Sequence, residues 1–131
     1  MLRIGVSASG PMFDGRADRA AQDATEAMVG EVSREGQNRL VGSMALTFRH
    51  PTPYYWTQVW TDRVTPTLAV VNDARSGKPM IYGPWLEGTG SRNQTSRFKG
   101  YRIWRTIRGV LEGETPGICQ RILTGFLPRM R

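Results

Sequence analysis

Between Asp14 and His50 the chain keeps a single helical period, and no aromatic residue occurs from position 14 to position 47. Ala17, Ala21, Ala24, Met28, Val32, Leu40 and Met44 recur at spacings of three, four or eight, which puts them on one face of a helix. Asp18, Arg19, Asp23 and Glu26 fall outside that face. Asp14 is a suitable N-cap, and Pro51 and Pro53 are stops, so the pattern predicts a helix over 14–50. At 1.5 Å per residue it is about 55 Å long, and its apolar stripe must be covered by the rest of the chain. Gly30, Gly36 and Gly42 each cost about 1 kcal/mol relative to Ala in a helix interior. Packing therefore has to hold this helix, and Gly36 is where it would break.

The aromatic residues come afterwards: Tyr54, Tyr55, Trp56, Trp60, Tyr82, Trp85, Phe98, Tyr101 and Trp104. From Tyr54 the period changes to two, with Tyr55, Thr57, Val59, Thr61 and Arg63 alternating with Trp56, Gln58, Trp60 and Asp62, the pattern of a strand. Val64-Thr-Pro then connects to the apolar run Thr67 to Asn72, which predicts a hairpin. Turn chemistry over Ala74 to Pro79 leads to Met80-Ile-Tyr82, a third strand stopped by Gly83 and Pro84. The economical topology over 54–82 is an antiparallel meander, to which Leu2-Arg-Ile-Gly-Val6 can add a short strand.

Residues 83–100 read as an exposed loop, since Glu87 to Lys99 contains no aliphatic residue. Loops of that length are functional or mobile. Helical period returns over 101–127, with Ile103, Ile107, Val110, Leu111, Ile118, Ile122, Leu123 and Phe126 as its apolar positions and an interruption expected from Gly113 to Gly117 around Pro116. The whole chain, 131 residues, suits one domain with one hydrophobic core. Its fold class is α+β, a small antiparallel sheet of three to four strands packed against a long N-terminal helix and a C-terminal helix.

Charge is unevenly placed. Residues 1–50 hold six Arg against six acidic residues, whereas the part from Glu87 onward holds nine basic and three acidic residues and so supplies +6 of the formal +7. Arg92, Arg97, Lys99, Arg102, Arg105 and Arg108 follow one another with no Asp or Glu between the first and the last. A basic element on a neutral body implies an anionic partner without naming it.

Reactive chemistry is poorly provided for. The single histidine, His50, stands beside Pro51 at an element boundary, and one His with the single Cys119 does not make a metal site. Gly88-Thr-Gly-Ser91 matches neither the dinucleotide nor the Walker pattern. Glu112 and Glu114 have no partner acid for glycosidase-type chemistry. Cys119 among apolar neighbours reads as an inert buried thiol. Asn93-Gln-Thr95 fits the glycosylation acceptor pattern, but the start of the sequence has no secretory core, and no stretch is apolar enough to span a bilayer. No catalytic residue, cofactor, metal or membrane partner is expected.

The basic stretch, interleaved with Phe98, Tyr101 and Trp104, could neutralise phosphates and stack on bases, the reading of a small basic nucleic-acid-binding protein. It could equally meet an acidic protein surface, where Arg and aromatic residues are favoured contacts. Three segments narrow the choice by resemblance: Pro51-Thr-Pro-Tyr-Tyr-Trp-Thr-Gln58, Ile81-Tyr-Gly-Pro-Trp-Leu-Glu-Gly-Thr-Gly-Ser-Arg-Asn93 and Thr95-Ser-Arg-Phe-Lys-Gly-Tyr101. With the helices on either side, roughly residues 14–127, they resemble the neck, or head–tail joining, proteins of long-tailed bacteriophages, especially those of actinobacteria. Tyr82, Leu86, Glu87, Gly88 and Thr89 match the family's pattern of a Tyr, a hydrophobic residue, a Glu and a Gly-Thr pair.

The resemblance implies a non-enzymatic virion protein, assembled in the host cytoplasm, whose copies close into a ring between the portal–adaptor complex and the tail tube. Its partners would be further copies of itself and adjacent neck or tail proteins, with passing contact with genome DNA. Stopper, neck, tail-terminator and tail-completion positions remain open. On this reading Glu87, Arg92, Arg97, Lys99, Arg102, Arg105 and Arg108 form the contact surface. Tyr82, Gly83, Pro84, Trp85, Leu86 and Gly88 form the structural motif, with Tyr82, Trp85 and Leu86 anchoring the loop to the core.

Overall fold

The apolar stripe of the first helix is buried by two surfaces, a sheet and a second long helix. The computed structural model of the chain describes residues 1–7, 15–48, 53–80 and 82–130. Its elements are β1 (Leu2–Gly5), α1 (Gly15–Thr47), α2 (Pro53–Thr57), β2 (Trp60–Thr65), β3 (Leu68–Asn72), α3 (Gly83–Glu87), α4 (Arg92–Thr95) and α5 (Ile103–Met130). The fold is α+β, a three-stranded antiparallel sheet packed against α1 and α5. The cap expected at Asp14, the side chains of Ala17 and Tyr54, and residues His50, Pro51 and Ile81 lie outside the described residues.

Helix α1 is 33 residues long and α5 is 28. The two run antiparallel and are joined by two ion pairs, one midway and one near the C-terminus of α5: Arg39 Nη2 lies 2.8 Å from Glu114 Oε1, and Arg129 Nη2 lies 2.6 Å from Asp23 Oδ2. These exposed pairs set register more than stability. Most of the stabilisation comes from apolar burial, with Val32, Leu40 and Met44 meeting Ile103, Ile107, Leu111 and Ile118 in one cluster. Ala21, Ala24 and Met28 are buried as their spacing predicts.

The helix does not break at Gly36. A Cβ there would stand 3.0 Å from Leu111 Cδ2 and 3.3 Å from Leu2 Cδ1, so α5 and β1 occupy the volume that glycine leaves. What Gly36 costs in propensity is offset by close packing where three elements meet. Arg63 lies over Gly30 in the same way, and its Nη1 donates to the carbonyls of Glu26 (3.3 Å) and Pro66 (2.8 Å). Together with Thr61 Oγ1 donating to Gln37 Oε1 (2.6 Å), this fastens the hairpin to α1.

The hairpin joins β2 and β3 as expected, but it begins later than the alternating pattern suggests. Residues 53–57 form one helical turn in place of the strand predicted from Tyr54. Pro53 at its start has the preset φ that a helix needs. The turn buries Tyr55, which is 1% exposed, and sets it and Trp56 against Phe48, with centroids 6.0 and 6.2 Å away. Burial of rings thus overrides local β preference.

The third strand also differs from expectation. Met80 and Tyr82 are not in a strand, and the sheet order is β1–β3–β2, with Leu2 opposite Val71 and Ile4 opposite Ala69. The N-terminal segment, expected as an optional addition, is the strand that completes the sheet. Leu2, Ala69 and Val71 point to the core. Helix α5 likewise runs through Pro116 without the predicted interruption. Pro116 leaves the Glu112 carbonyl without its helical donor, but both residues are exposed and water can take that bond. Among the described residues no helix is long and apolar enough to cross a membrane.

These contacts separate two glycines of the same helix. Gly36→Leu should lower unfolding stability by about 1–3 kcal/mol through overpacking. Gly42→Ala, with nothing within 4 Å of the added Cβ, should raise it by about 1 kcal/mol. Urea denaturation of the two variants checks both signs.

Candidate functional site: a cationic platform

The segment expected to be a loop is a platform with its own internal fastening. Pro84 at the first turn of α3 favours helix, and Gly88 ends it in the left-handed region at φ 103°, its N–H donating to the Pro84 carbonyl (2.9 Å). Thr89 and Gly90 donate to that same carbonyl, at 2.9 and 3.1 Å. Gly88 and Gly100, the latter at φ 95°, cross each other so closely that a Cβ on either would collide with the backbone of the other strand of the crossing. The platform therefore closes on itself, and only glycine fits at the crossing.

Asn93 holds the interior. It is 3% exposed, and its Nδ2 donates to the carbonyls of Trp85 and Phe98, both at 3.1 Å, while its Oδ1 accepts the Gly90 N–H at 3.0 Å. Such burial withdraws the amide from the glycosylation reading. Lys99 Nζ donates to the carbonyls of Asn93 (2.8 Å) and Gln94 (3.3 Å), which closes the turn at α4. From the sequence alone Asn93 reads as part of an exposed loop. Its place three positions after Gly90, in a run that needs polar partners for tightly turned backbone, was the available signal.

Rings tie the platform to the body. Trp85 lies 4.9 Å from Phe98 with the rings tilted, Phe98 lies 5.0 Å from Tyr101, and Tyr101 lies 5.1 Å from Phe48. Tyr82 lies 5.6 Å from Tyr55, and Tyr82 and Leu86 pack against the main core. The anchoring expected of Tyr82, Trp85 and Leu86 is present, with Trp85 acting through Phe98. Gly83 is buried because Asp73 and the Tyr55 ring occupy the space of a side chain. Tyr55 Oη donates to Asp73 Oδ2 (3.0 Å) and accepts from Trp104 Nε1 (3.3 Å), and burial pushes its phenol well above the usual range. The adjoining cavity, 330 Å³, is also lined by Pro79 and Thr89. Its central polar groups are already bonded to each other.

Glu87, expected at the contact surface, has an internal role. Its Oε1 accepts the Trp104 N–H (2.9 Å) and its Oε2 the Arg105 N–H (3.0 Å), so one carboxylate caps the first turn of α5 and meets its positive dipole end. Just before this cap, Arg102 has φ 56°, the one non-glycine residue among those described with a left-handed backbone. Tyr101 N–H donates to the Leu86 carbonyl (2.7 Å) on one side and the Glu87 cap fixes the other, which holds Arg102 in a conformation costing about 1 kcal/mol.

The structure brings Arg92, Arg97, Arg102, Arg105 and Arg108 onto α4, the turn after it and the start of α5, all exposed. Arg105 and Arg108, three residues apart on α5, lie about 60° apart around its axis, and Arg102 directly precedes its first turn. Arg108 Nε pairs with Glu112 Oε1 at 3.3 Å. Among the described residues no carboxylate pairs with Arg92, Arg97, Arg102 or Arg105. Positive charge at a helix N-terminus opposes the dipole, so the arrangement costs stability and serves the surface it creates. Lys99, with its ammonium turned to carbonyls, contributes less than expected. Cys119 is half-buried beside β1, and burial raises its thiol pKa. No group of three or more His, Cys, Asp and Glu among the described residues could hold a metal ion.

Asn93→Ala should cost about 3 kcal/mol, because buried donors and acceptors lose their partner, and hydrogen exchange should quicken across residues 84–100. Arg102→Gly should stabilise the fold by about 1 kcal/mol through relief of the left-handed backbone, read as a higher urea midpoint. No protein-family model, curated protein or solved structure matches this chain.

Proposed function

We propose that this chain is a non-enzymatic structural protein of a tailed-bacteriophage virion, a subunit of the homo-oligomeric ring in the neck that joins the head to the tail tube. The observation that carries this reading is what the most specific part of the resemblance does here. Tyr82 to Gly88 builds and anchors a rigid platform whose polar groups, Glu87 and Asn93 foremost, are used inside the fold. A scaffold of this kind suits docking, and it keeps no side chain poised for reaction.

A ring needs a head-to-tail interface whose rotation closes, or the copies grow into a filament. The sheet offers two edges for it, since β1 and β2 flank β3 and, among the described residues, each is paired on one side only. Covering such edges between copies also removes an aggregation hazard. Purified protein viewed by negative-stain microscopy and weighed by mass photometry should give closed rings of uniform copy number. A strict monomer at every concentration, together with absence of the chain from virions, would sink the reading.

A further inference from the structure

The cationic platform has too few carboxylates to meet, even on another copy of the same chain. Asp23, Glu31, Glu35, Glu112 and Glu114 already pair with arginines within the subunit. Glu87 caps α5 and Asp73 accepts the Tyr55 hydroxyl. Among the described residues this leaves Asp18, Glu26 and Asp62 as carboxylates not already engaged with an arginine, a helix end or a tyrosine, in a chain whose formal charge is +7 after all its acids are counted. Two copies brought together through this surface would set like charges against each other, so the balancing charge must come from another molecule.

We infer that Arg92, Arg97, Arg102 and Arg105 form a contact surface for the phosphodiester backbone of duplex DNA, read by charge and not by base. Four exposed guanidinium groups without carboxylate partners among the described residues match phosphate oxygens in geometry as well as charge. Their backbone is fixed in advance by Asn93, by the Gly88–Gly100 crossing and by the Glu87 cap, which reduces the ordering cost of binding. Base stacking is not offered: Phe98 and Tyr101 are packed on each other and on Trp85 and Phe48, and Trp104 donates to Tyr55. That favours the duplex, with its denser phosphate charge, over a single strand. The inference goes beyond ring formation and does not depend on it.

The test is fluorescence anisotropy with a labelled duplex of about 20 base pairs, the site scale of a small DNA-binding protein, at several salt concentrations. If all four arginines engage, log K against log salt should slope at about −3.6, and Arg92→Ala, Arg97→Ala or Arg105→Ala should each flatten it by about 0.9. Arg102→Gly should flatten it equally while leaving the fold at least as stable, which separates lost contact from lost structure. Two unrelated duplex sequences should bind alike. Arg34→Ala, which removes a cation paired with Glu31 on α1, should leave the slope unchanged.

Absence of binding at low salt, slopes unmoved by the platform variants, or an equal loss in Arg34→Ala would overturn the inference. Tighter binding of a single strand of the same length would overturn it too. Tighter binding of polyglutamate at equal charge concentration would assign the surface to an acidic protein partner instead. Negative stain of the same preparations separates the two readings. Rings that ignore DNA overturn this inference alone, and DNA binding by a monomer supports it while counting against the ring.

Discussion

Every part of this fold is fastened, directly or through one intermediary, to the single apolar face of α1. That face is narrow, with small residues in its first half, Ala20, Ala21 and Ala24, and larger ones, Leu40 and Met44, in its second. A helix so patterned gains little from propensity and much from being covered. The sheet and α5 share the task, and their closest approach is at Gly36, where Leu111 and Leu2 fill the place of a side chain. Antiparallel packing of α5 then puts its first turn at the end of α1 that carries Phe48, beside the turn of α2. The position of the platform follows from that geometry.

The platform illustrates how polar residues in a short segment can be structural. Glu87, Asn93 and Lys99 would each look like surface chemistry in isolation. Each in fact satisfies backbone groups that tight turns and a helix start leave without partners. With these three turned inward, the outward charge belongs to the arginines. Among the described residues four of them have no carboxylate partner, and one, Arg102, sits on a strained backbone held from both sides. Stability is given up at this surface in two ways, by cations at a helix N-terminus and by a left-handed arginine, which is the expected mark of a surface shaped by what it contacts.

Much of the architecture was legible from periodicity. The three- or four-residue spacing of α1 and α5 and the apolar run of β3 survive almost intact, because an amphipathic pattern must be buried on one side whatever surrounds it. The departures have particular causes. Tyr54 to Gln58 alternates like a strand, yet Tyr55 and Trp56 gain more by packing on Phe48 through a helical turn. Met80-Ile-Tyr82 has strand composition, but the place beside β3 is taken by Leu2–Gly5, a pairing across most of α1 that no local pattern could reveal. Residues 83–100 look like a loop because Gly, Ser, Thr and Asn serve loops and tight crossings alike.

By itself the sequence determined the fold class, the two long helices and the gathering of positive charge after Glu87, since these depend on period and composition along the chain. The tertiary structure alone decided that Glu87 would be a helix cap, that Asn93 would be a buried hub, and that Gly36 would be a contact point rather than a break. It alone decided which arginines would remain unpaired. The physical reason is the same throughout: burial and partner choice depend on what lies across space from a residue, and for these positions the partner comes from a different element.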